Sequence, residues 1–171
     1  RPQNTRACRR RPETGQKVDS AAFSRGDCWR MSAMRALIVD DSPTARAQAR
    51  VALEEATTTL GLDVDVDEAA GGVEALRVLT SADVDLLIVD LHMPDVHGLE
   101  VLSFWRGRVK QRDSVSVCAV VVSTEVSARD REKALEHGAF SFCDKPLSGP
   151  ALTGELSSSL SSSSSSSSSG S

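Results

Sequence analysis

The sequence predicts an α/β fold, a doubly wound sheet of five parallel strands with helices on both faces. Five short apolar runs alternate with longer segments of helical character, which is the order that consecutive βα units produce. Two of the runs, DLLIVD (85–90) and SVCAVVVS (116–123), are almost entirely apolar, as is typical of central strands that are covered on both faces. A third run, LDVDVDEA (62–69), alternates apolar and acidic residues, which is typical of an exposed edge strand.

Local signals place the remaining elements. The first predicted strand is RALIVD (35–40), and the last is AFSFC (139–143). Ser42 and Pro43 favour a helix start, and Gly138 favours a helix end. The predicted helices span about 43–60, 73–80, 97–108, 127–137 and 149–159.

Composition limits the classes of protein to which the chain can belong. It has 171 residues, enough for one domain with tails, and 40% of them are hydrophobic, which excludes a disordered whole. No apolar run approaches the roughly 20 residues of a membrane span. Residues 1–33 hold eight basic and three acidic side chains, whereas residues 34–171 hold twelve basic and twenty-one acidic. The acidic balance argues against nucleic-acid binding by the folded part. We expect a cytoplasmic protein, because the cysteine pattern described below favours reduced thiols.

Both ends of the chain differ from the middle. Residues 1–33 lack apolar periodicity, and Met34 stands directly before the first predicted strand, so we expect a disordered or non-native extension there. Residues 157–171 contain thirteen Ser and are predicted to form a flexible low-complexity tail. The predicted folded domain is therefore 34–156.

The four cysteines do not form a Cys-x-x-Cys pair. They are Cys8, Cys28, Cys118 and Cys143, and the last two lie in predicted strands. This pattern favours reduced thiols over a zinc site or a disulfide framework.

Side chains suited to phosphate chemistry follow four of the five predicted strands, at the sheet edge where ligands bind in this architecture. Two like charges about 4 Å apart repel by roughly 4 kcal/mol at an effective dielectric near 20, so clustered carboxylates need a cation, and Mg²⁺ prefers such oxygen ligands. An ammonium and a hydroxyl suit the oxygens of a phosphoryl group. The set predicts phosphoryl transfer to a carboxylate nucleophile. Its members are Asp40 and Asp41 after strand one, Asp90 at strand three, Ser123 and Thr124 at strand four, and Lys145 after strand five.

Four segments together resemble the receiver domain of two-component response regulators. They are LIVDDSPTAR, LLIVDLHMPDVHGLE, VVVSTE and FCDKPL, and the resemblance covers about 34–156. It implies a flavodoxin-like fold with strand order 2-1-3-4-5. It also implies a phosphorelay function, in which the receiver switches the binding of a downstream protein partner.

The resemblance implies a role for each acidic residue. Asp90 is the expected phosphoacceptor, and the donor is a sensor histidine kinase or a histidine phosphotransfer protein. Asp40, Asp41 and Asp90 are the expected Mg²⁺ ligands, together with the backbone carbonyl of His92.

The resemblance also implies a switch. Lys145 is expected to contact the phosphoryl group, and Ser123 to move towards it. That shift is expected to let Phe142 turn inward and to alter the face formed by the fourth helix, fifth strand and fifth helix, by a shift between existing conformations.

The chain departs from the family pattern at several positions. His92 stands where many relatives carry Asn, and Thr124 stands where a small residue is common. The switch aromatic is Phe142 rather than Tyr, and the chain has no Tyr. His92 and His97 together suggest a transition-metal site, but their spacing of five does not align two ligands on one helix face.

Other functions stay open at this stage. One is an interaction module that works without phosphorylation, and another is a receiver fragment of a larger regulator. A haloacid-dehalogenase-type phosphatase would need an acid where His92 stands, so we expect no enzyme, only weak autophosphorylation and autodephosphorylation. The mixed charges of residues 129–133 fit either a phosphorylation-linked dimer or a solvated face.

Overall fold

The computed structural model describes residues 34–110, 118–124 and 127–162. Within these ranges each strand is followed by a helix, as five βα units require. The strands are β1 (Met34–Val39), β2 (Val64–Ala69), β3 (Leu86–Asp90), β4 (Cys118–Ser123) and β5 (Ser141–Asp144). The helices are α1 (Pro43–Leu60), α2 (Gly72–Ser81), α3 (Gly98–Val109), α4 (Ala128–His137) and α5 (Gly149–Ser162).

The five strands form one parallel sheet in the order β2-β1-β3-β4-β5. All residues of β3 and β4 are buried, whereas β2 at the edge is largely half-buried or exposed. The predicted fold class and strand order are therefore confirmed. The chain moves outward from β1 to β2 and then returns to β3 on the other side of β1, so the ends of β1 and β3 lie side by side.

Two apolar layers cover the sheet, because successive side chains of a strand point to opposite faces. On one face Leu37 and Val39 pack with residues of α2, α3 and α4. On the other face Ile38 packs with α1 and α5, including Leu53 and Leu152. Rigid packing on both faces fixes the strand ends that carry the polar residues.

The helix α5 extends slightly beyond its predicted end at about 159. It runs to Ser162, so residues 157–162 are helical and overlap the start of the Ser-rich tract 157–171. Leu156 is buried in the core and anchors this part of the helix. The hydroxyl of Ser158 donates to the carbonyl of Gly154, four residues earlier, so serine is accommodated in the helix.

Several expectations fall outside the described residues, namely those for the extension 1–33 with Cys8 and Cys28, and for 163–171. Cys118 and Cys143 are buried free thiols, as expected. Burial raises the pKa of Cys118 to about 11. Among the described residues there is no helix with the length and apolar content that a membrane span requires.

Candidate phosphorylation site

Three carboxylates meet at the carboxyl ends of β1 and β3. Asp40 and Asp41 follow β1, and Asp90 is the last residue of β3. Because Val39 of β1 pairs with Val89 of β3, the next residue of each strand is also adjacent. Carboxylate oxygens of all three lie within 4.8 Å of one another. Asp40 and Asp90 are buried, whereas Asp41 is exposed and gives the group access to solvent.

The ammonium group of Lys145 bridges the two buried carboxylates. Its Nζ atom lies 2.6 Å from Oδ2 of Asp40 and 3.0 Å from Oδ2 of Asp90. Burial by itself lowers the pKa of Lys145, but the hydrogen bonds to Asp40 and Asp90 outweigh that effect and raise the pKa above its ordinary value. Lys145 is therefore positively charged at neutral pH and offsets part of the negative charge of the site.

Backbone contacts fix the position of Asp40. Its Oδ1 atom accepts a hydrogen bond from the amide of Ser42, 2.9 Å away. Its carbonyl oxygen accepts a hydrogen bond from Arg46 of α1, at 2.7 Å. The start of α1 is in turn capped by Ser42, whose hydroxyl accepts from the amide of Ala45 at 3.4 Å. One carboxylate oxygen of Asp40 thus faces the helix start and the other faces Lys145.

Ser123 ends β4 next to the acidic group. In the register of β3 and β4, Asp90 pairs with Val122, so Ser123 is one residue further along the neighbouring strand. Ser123 is fully buried, and its Oγ atom lies 3.3 Å from Nδ1 of His92. Thr124, the next residue, is exposed.

Phe142 of β5 is buried in the layer that packs against α4. The guanidinium carbon of Arg131 lies 5.4 Å from the centroid of its ring, in a cation–π arrangement. The sequence predicts that Phe142 turns inward as part of a switch. The ring is inward here, and the change of orientation stays a prediction.

The loop between β3 and α3 contains a contact that the sequence did not reveal. Asp95 accepts hydrogen bonds from the amides of Gly72 and Val73 at the start of α2, at 3.0 and 2.9 Å. Hydrogen bonds from the amides of Val73, Val96 and Gly72 lower the pKa of Asp95 to about 2. The sequence contained one indication of such a contact. Gly71 at the N-cap of α2 has no side chain, so another residue must accept hydrogen bonds from the first amides of the helix. Nothing in the sequence pointed to Asp95 as that residue.

The donor chemistry of the acidic group fits Mg²⁺. All of its side-chain donors are carboxylate oxygens, which hard divalent cations prefer over softer metals. Within the described ranges, Asp40, Asp41 and Asp90 form the only group of three or more ligand side chains brought together in this way. His92 and His97 have touching rings, but no third ligand of that kind joins them.

Comparison with known proteins shows the family of this chain. The profile of the response regulator receiver domain matches residues 36–157. A chemotaxis protein CheY homolog of Campylobacter jejuni is 37% identical over 128 residues, which are 74% of this chain and 92% of that protein. The sensor protein EvgS of Escherichia coli O157:H7 is 36% identical over 121 residues, which are 71% of this chain and 9% of that protein. The structure of chemotaxis protein CheY4 of Vibrio cholerae superposes with a TM-score of 0.61 at 26% identity, covering 75% of this chain and 99% of that one. This chain belongs to the response regulator receiver domain family.

Proposed function

We propose that this receiver domain is a phosphorylation-dependent switch in which Asp90 accepts the phosphoryl group. The observation that carries the proposal is the contact of one ammonium group, that of Lys145, with both Asp40 and Asp90. A half-buried cation between two buried carboxylates suits a site that must take up further negative charge. Asp41 adds an exposed carboxylate on the side from which a donor protein would approach.

The proposed reaction uses the carboxylate of Asp90 as nucleophile. A carboxylate oxygen attacks the phosphorus atom of a phosphohistidine, so that a P–O bond forms while the P–N bond breaks. The electron pair of the broken bond stays on the imidazole nitrogen of the donor. Lys145 already lies 3.0 Å from Oδ2 of Asp90, so its charge is in place to offset that of the transferred group.

Asp40, Asp41 and Asp90 would hold Mg²⁺, together with the backbone carbonyl of His92. When bound, the ion would supply positive charge to the phosphoryl oxygens. The hydrogen bond from the Ser42 amide and the contact with Lys145 keep Asp40 in one orientation, so little reorganisation is needed before binding.

The proposed switch has two side chains. Ser123 donates its hydroxyl proton to a phosphoryl oxygen on Asp90. Phe142 then takes its inward orientation in the apolar layer that packs against α4. Phosphorylation raises the share of molecules in which Ser123 faces the phosphoryl group and Phe142 is buried. The face formed by α4, β5 and α5 then presents a different surface to a downstream protein.

We further propose a sensor histidine kinase or a histidine phosphotransfer protein as the donor, and the cytoplasm as the place of reaction. Activity of the domain itself is limited to slow autophosphorylation by small donors and to autodephosphorylation. The same site would serve whether the receiver domain is a separate protein or one domain of a larger regulator.

Intact mass measurement tests this function. Wild-type protein incubated with Mg²⁺ and acetyl phosphate is expected to gain the mass of one phosphoryl group. Asp90→Asn and a wild-type sample with excess chelator are expected to gain none. A folded wild-type protein that binds Mg²⁺ and gains no mass would overturn the function and favour an interaction module that works without phosphate.

A further inference from the structure

Two imidazole rings contact each other beside the proposed phosphorylation site. His92 and His97 both lie in the loop between β3 and α3, and their ring centroids are 5.7 Å apart at an interplanar angle of 80°. Both residues are exposed, so the contact is not imposed by burial in the core. An edge-to-face arrangement is one of the two geometries that aromatic pairs prefer.

His92 connects this pair to Ser123. Its Nδ1 atom lies 3.3 Å from Oγ of Ser123, within hydrogen-bonding distance. In the tautomer of His92 whose Nδ1 carries no proton, Ser123 donates its single hydroxyl proton to that atom, and this proton is not available to a phosphoryl oxygen. Ser123 must therefore change its hydrogen bonding with His92 when it turns to a phosphoryl group on Asp90.

His97 connects the pair to α3. It is the N-cap residue of that helix, with extended backbone angles (φ −65°, ψ 139°), and its Nδ1 atom accepts from the amide of Leu99 at 3.3 Å. Histidine is not among the preferred N-cap residues, which are Ser, Thr, Asp and Asn. The ring of His92 packs against His97 and supports the orientation in which Nδ1 serves as the cap.

We propose that His92 is a positioning residue that holds Ser123 in the unphosphorylated arrangement and, through His97, passes the movement of Ser123 to the start of α3. The inference rests on the proposed function and adds α3 to the surface that responds to phosphorylation. In this chain the coupling consists of the contact between the two histidine rings and one hydrogen bond at each end. His92 makes one of these bonds with Ser123, and His97 makes the other with the amide of Leu99.

Binding of beryllofluoride, a stable mimic of the phosphoryl group, tests the inference in the presence of Mg²⁺ and at one fixed pH. His92→Phe keeps the ring next to His97 but removes Nδ1. It is expected to bind beryllofluoride roughly two- to tenfold more tightly than wild type, because the unphosphorylated arrangement loses one hydrogen bond. His92→Asn, a smaller replacement, is expected to change the affinity in the same direction.

The second readout is the amide resonance of Leu99. In wild type it is expected to shift when beryllofluoride binds, and in His97→Asn, which retains a cap acceptor, the shift is expected to shrink while the resonance of Ser123 still responds. The matched control is His137→Phe, which removes a similar contact, 2.7 Å between Nδ1 and Oγ of Ser103, in the middle of α3. This control is expected to leave both readouts as in wild type.

Three different negative results would overturn three different claims. An unchanged affinity in folded His92→Phe and His92→Asn would overturn the role of His92. A full Leu99 response in His97→Asn would overturn the coupling to α3. A wild-type protein that does not bind beryllofluoride would overturn the proposed function, and this inference with it, before any variant is compared.

Discussion

A Cβ atom on Gly98 would clash with the carbonyl oxygen of Asp90, so the start of α3 rests directly on the backbone of the proposed phosphoacceptor. The amide of Gly98 also donates to the carbonyl of Leu91, at 3.0 Å. The two ends of the loop between β3 and α3 are therefore joined by a hydrogen bond. A side chain at position 98 must push the helix away from the site.

Gly98→Ala is expected to lower the free energy of unfolding by about 1–3 kcal/mol, because the added methyl group has no space. Chemical denaturation measures the effect. The matched control is Gly107→Ala in the same helix, where no described atom outside the helix's own backbone and the neighbouring residues lies within 4 Å of the added Cβ. Since Ala is the better helix former, this control is expected to stabilise the protein by roughly 0.5–1 kcal/mol. Equal effects of the two substitutions would contradict the close approach.

Lys145→Met is expected to destabilise the protein when Mg²⁺ is absent. The substitution leaves Asp40 and Asp90 buried without their shared cation, which costs about 1–3 kcal/mol. Added Mg²⁺ should restore much of that loss, because a ligand that binds only the folded state stabilises it. Thermal unfolding with and without Mg²⁺ measures both effects.

The ion pair between Arg35 and Asp67 provides a control for Lys145. Its atoms are 2.6 Å apart, but the two side chains are 44% and 39% exposed. Asp67→Asn should therefore cost less than about 1 kcal/mol. It should also leave the response to Mg²⁺ unchanged. If Lys145→Met behaved in the same way, the cation would not be holding the acidic group together.

Asp95→Asn is expected to destabilise the protein at neutral pH and to have less effect in acid. The folded-state pKa of Asp95 is about 2, below its ordinary value of 3.8, so its ionised form is favoured by folding. That contribution is complete above pH 4 and is lost as the pH falls from about 4 towards 2. Chemical denaturation of wild type and variant measures the difference in the free energy of unfolding, from neutral pH down to the lowest pH at which both proteins are folded.

Asp65→Asn, at an exposed carboxylate of β2, is the control for Asp95. Asp65→Asn should change the free energy of unfolding only slightly, and this change should not become smaller in acid as it does for Asp95→Asn. A constant difference between wild type and Asp95→Asn across the same range would show that the contacts with Gly72 and Val73 do not depend on charge.

Arg131→Gln is expected to lower the free energy of unfolding by about 0.5–1 kcal/mol, because the guanidinium group no longer covers the ring of Phe142. Arg129→Gln alters an exposed arginine two residues earlier in α4 and should have almost no effect. Double substitution with Phe142→Leu separates the pair energy from other losses. If Arg131→Gln cost the same in the Phe142→Leu background, the ring contact would not be its cause.

The parallel sheet and the location of the acidic residues were predictable because both follow from local patterns. Apolar runs such as DLLIVD identify buried strands, and the polar residue after each run marks the edge where ligands bind. Asp40, Asp90 and Lys145 could therefore be placed together, and the structure brings them into contact.

The remaining contacts depend on distances that no local pattern encodes. Asp95 caps a helix that begins 23 residues earlier in the chain, and that pairing becomes visible only after the loops are folded. The five-residue spacing of His92 and His97 argued against a shared site on a helix, but both residues lie on a loop whose turn brings their rings together. The six helical residues 157–162 belong to α5 because Leu156 anchors them, although their composition is that of a tail.

The identity of the phosphoacceptor is the central claim, and chemical trapping tests it most directly. Protein treated with acetyl phosphate and Mg²⁺ is reduced with borohydride, which converts a phosphorylated aspartate to homoserine, and is then digested and sequenced by mass spectrometry. The account predicts homoserine at position 90 and unchanged aspartate at positions 40 and 41. Homoserine at Asp40 or Asp41, or none at position 90 in a protein that has gained a phosphoryl group, would contradict it.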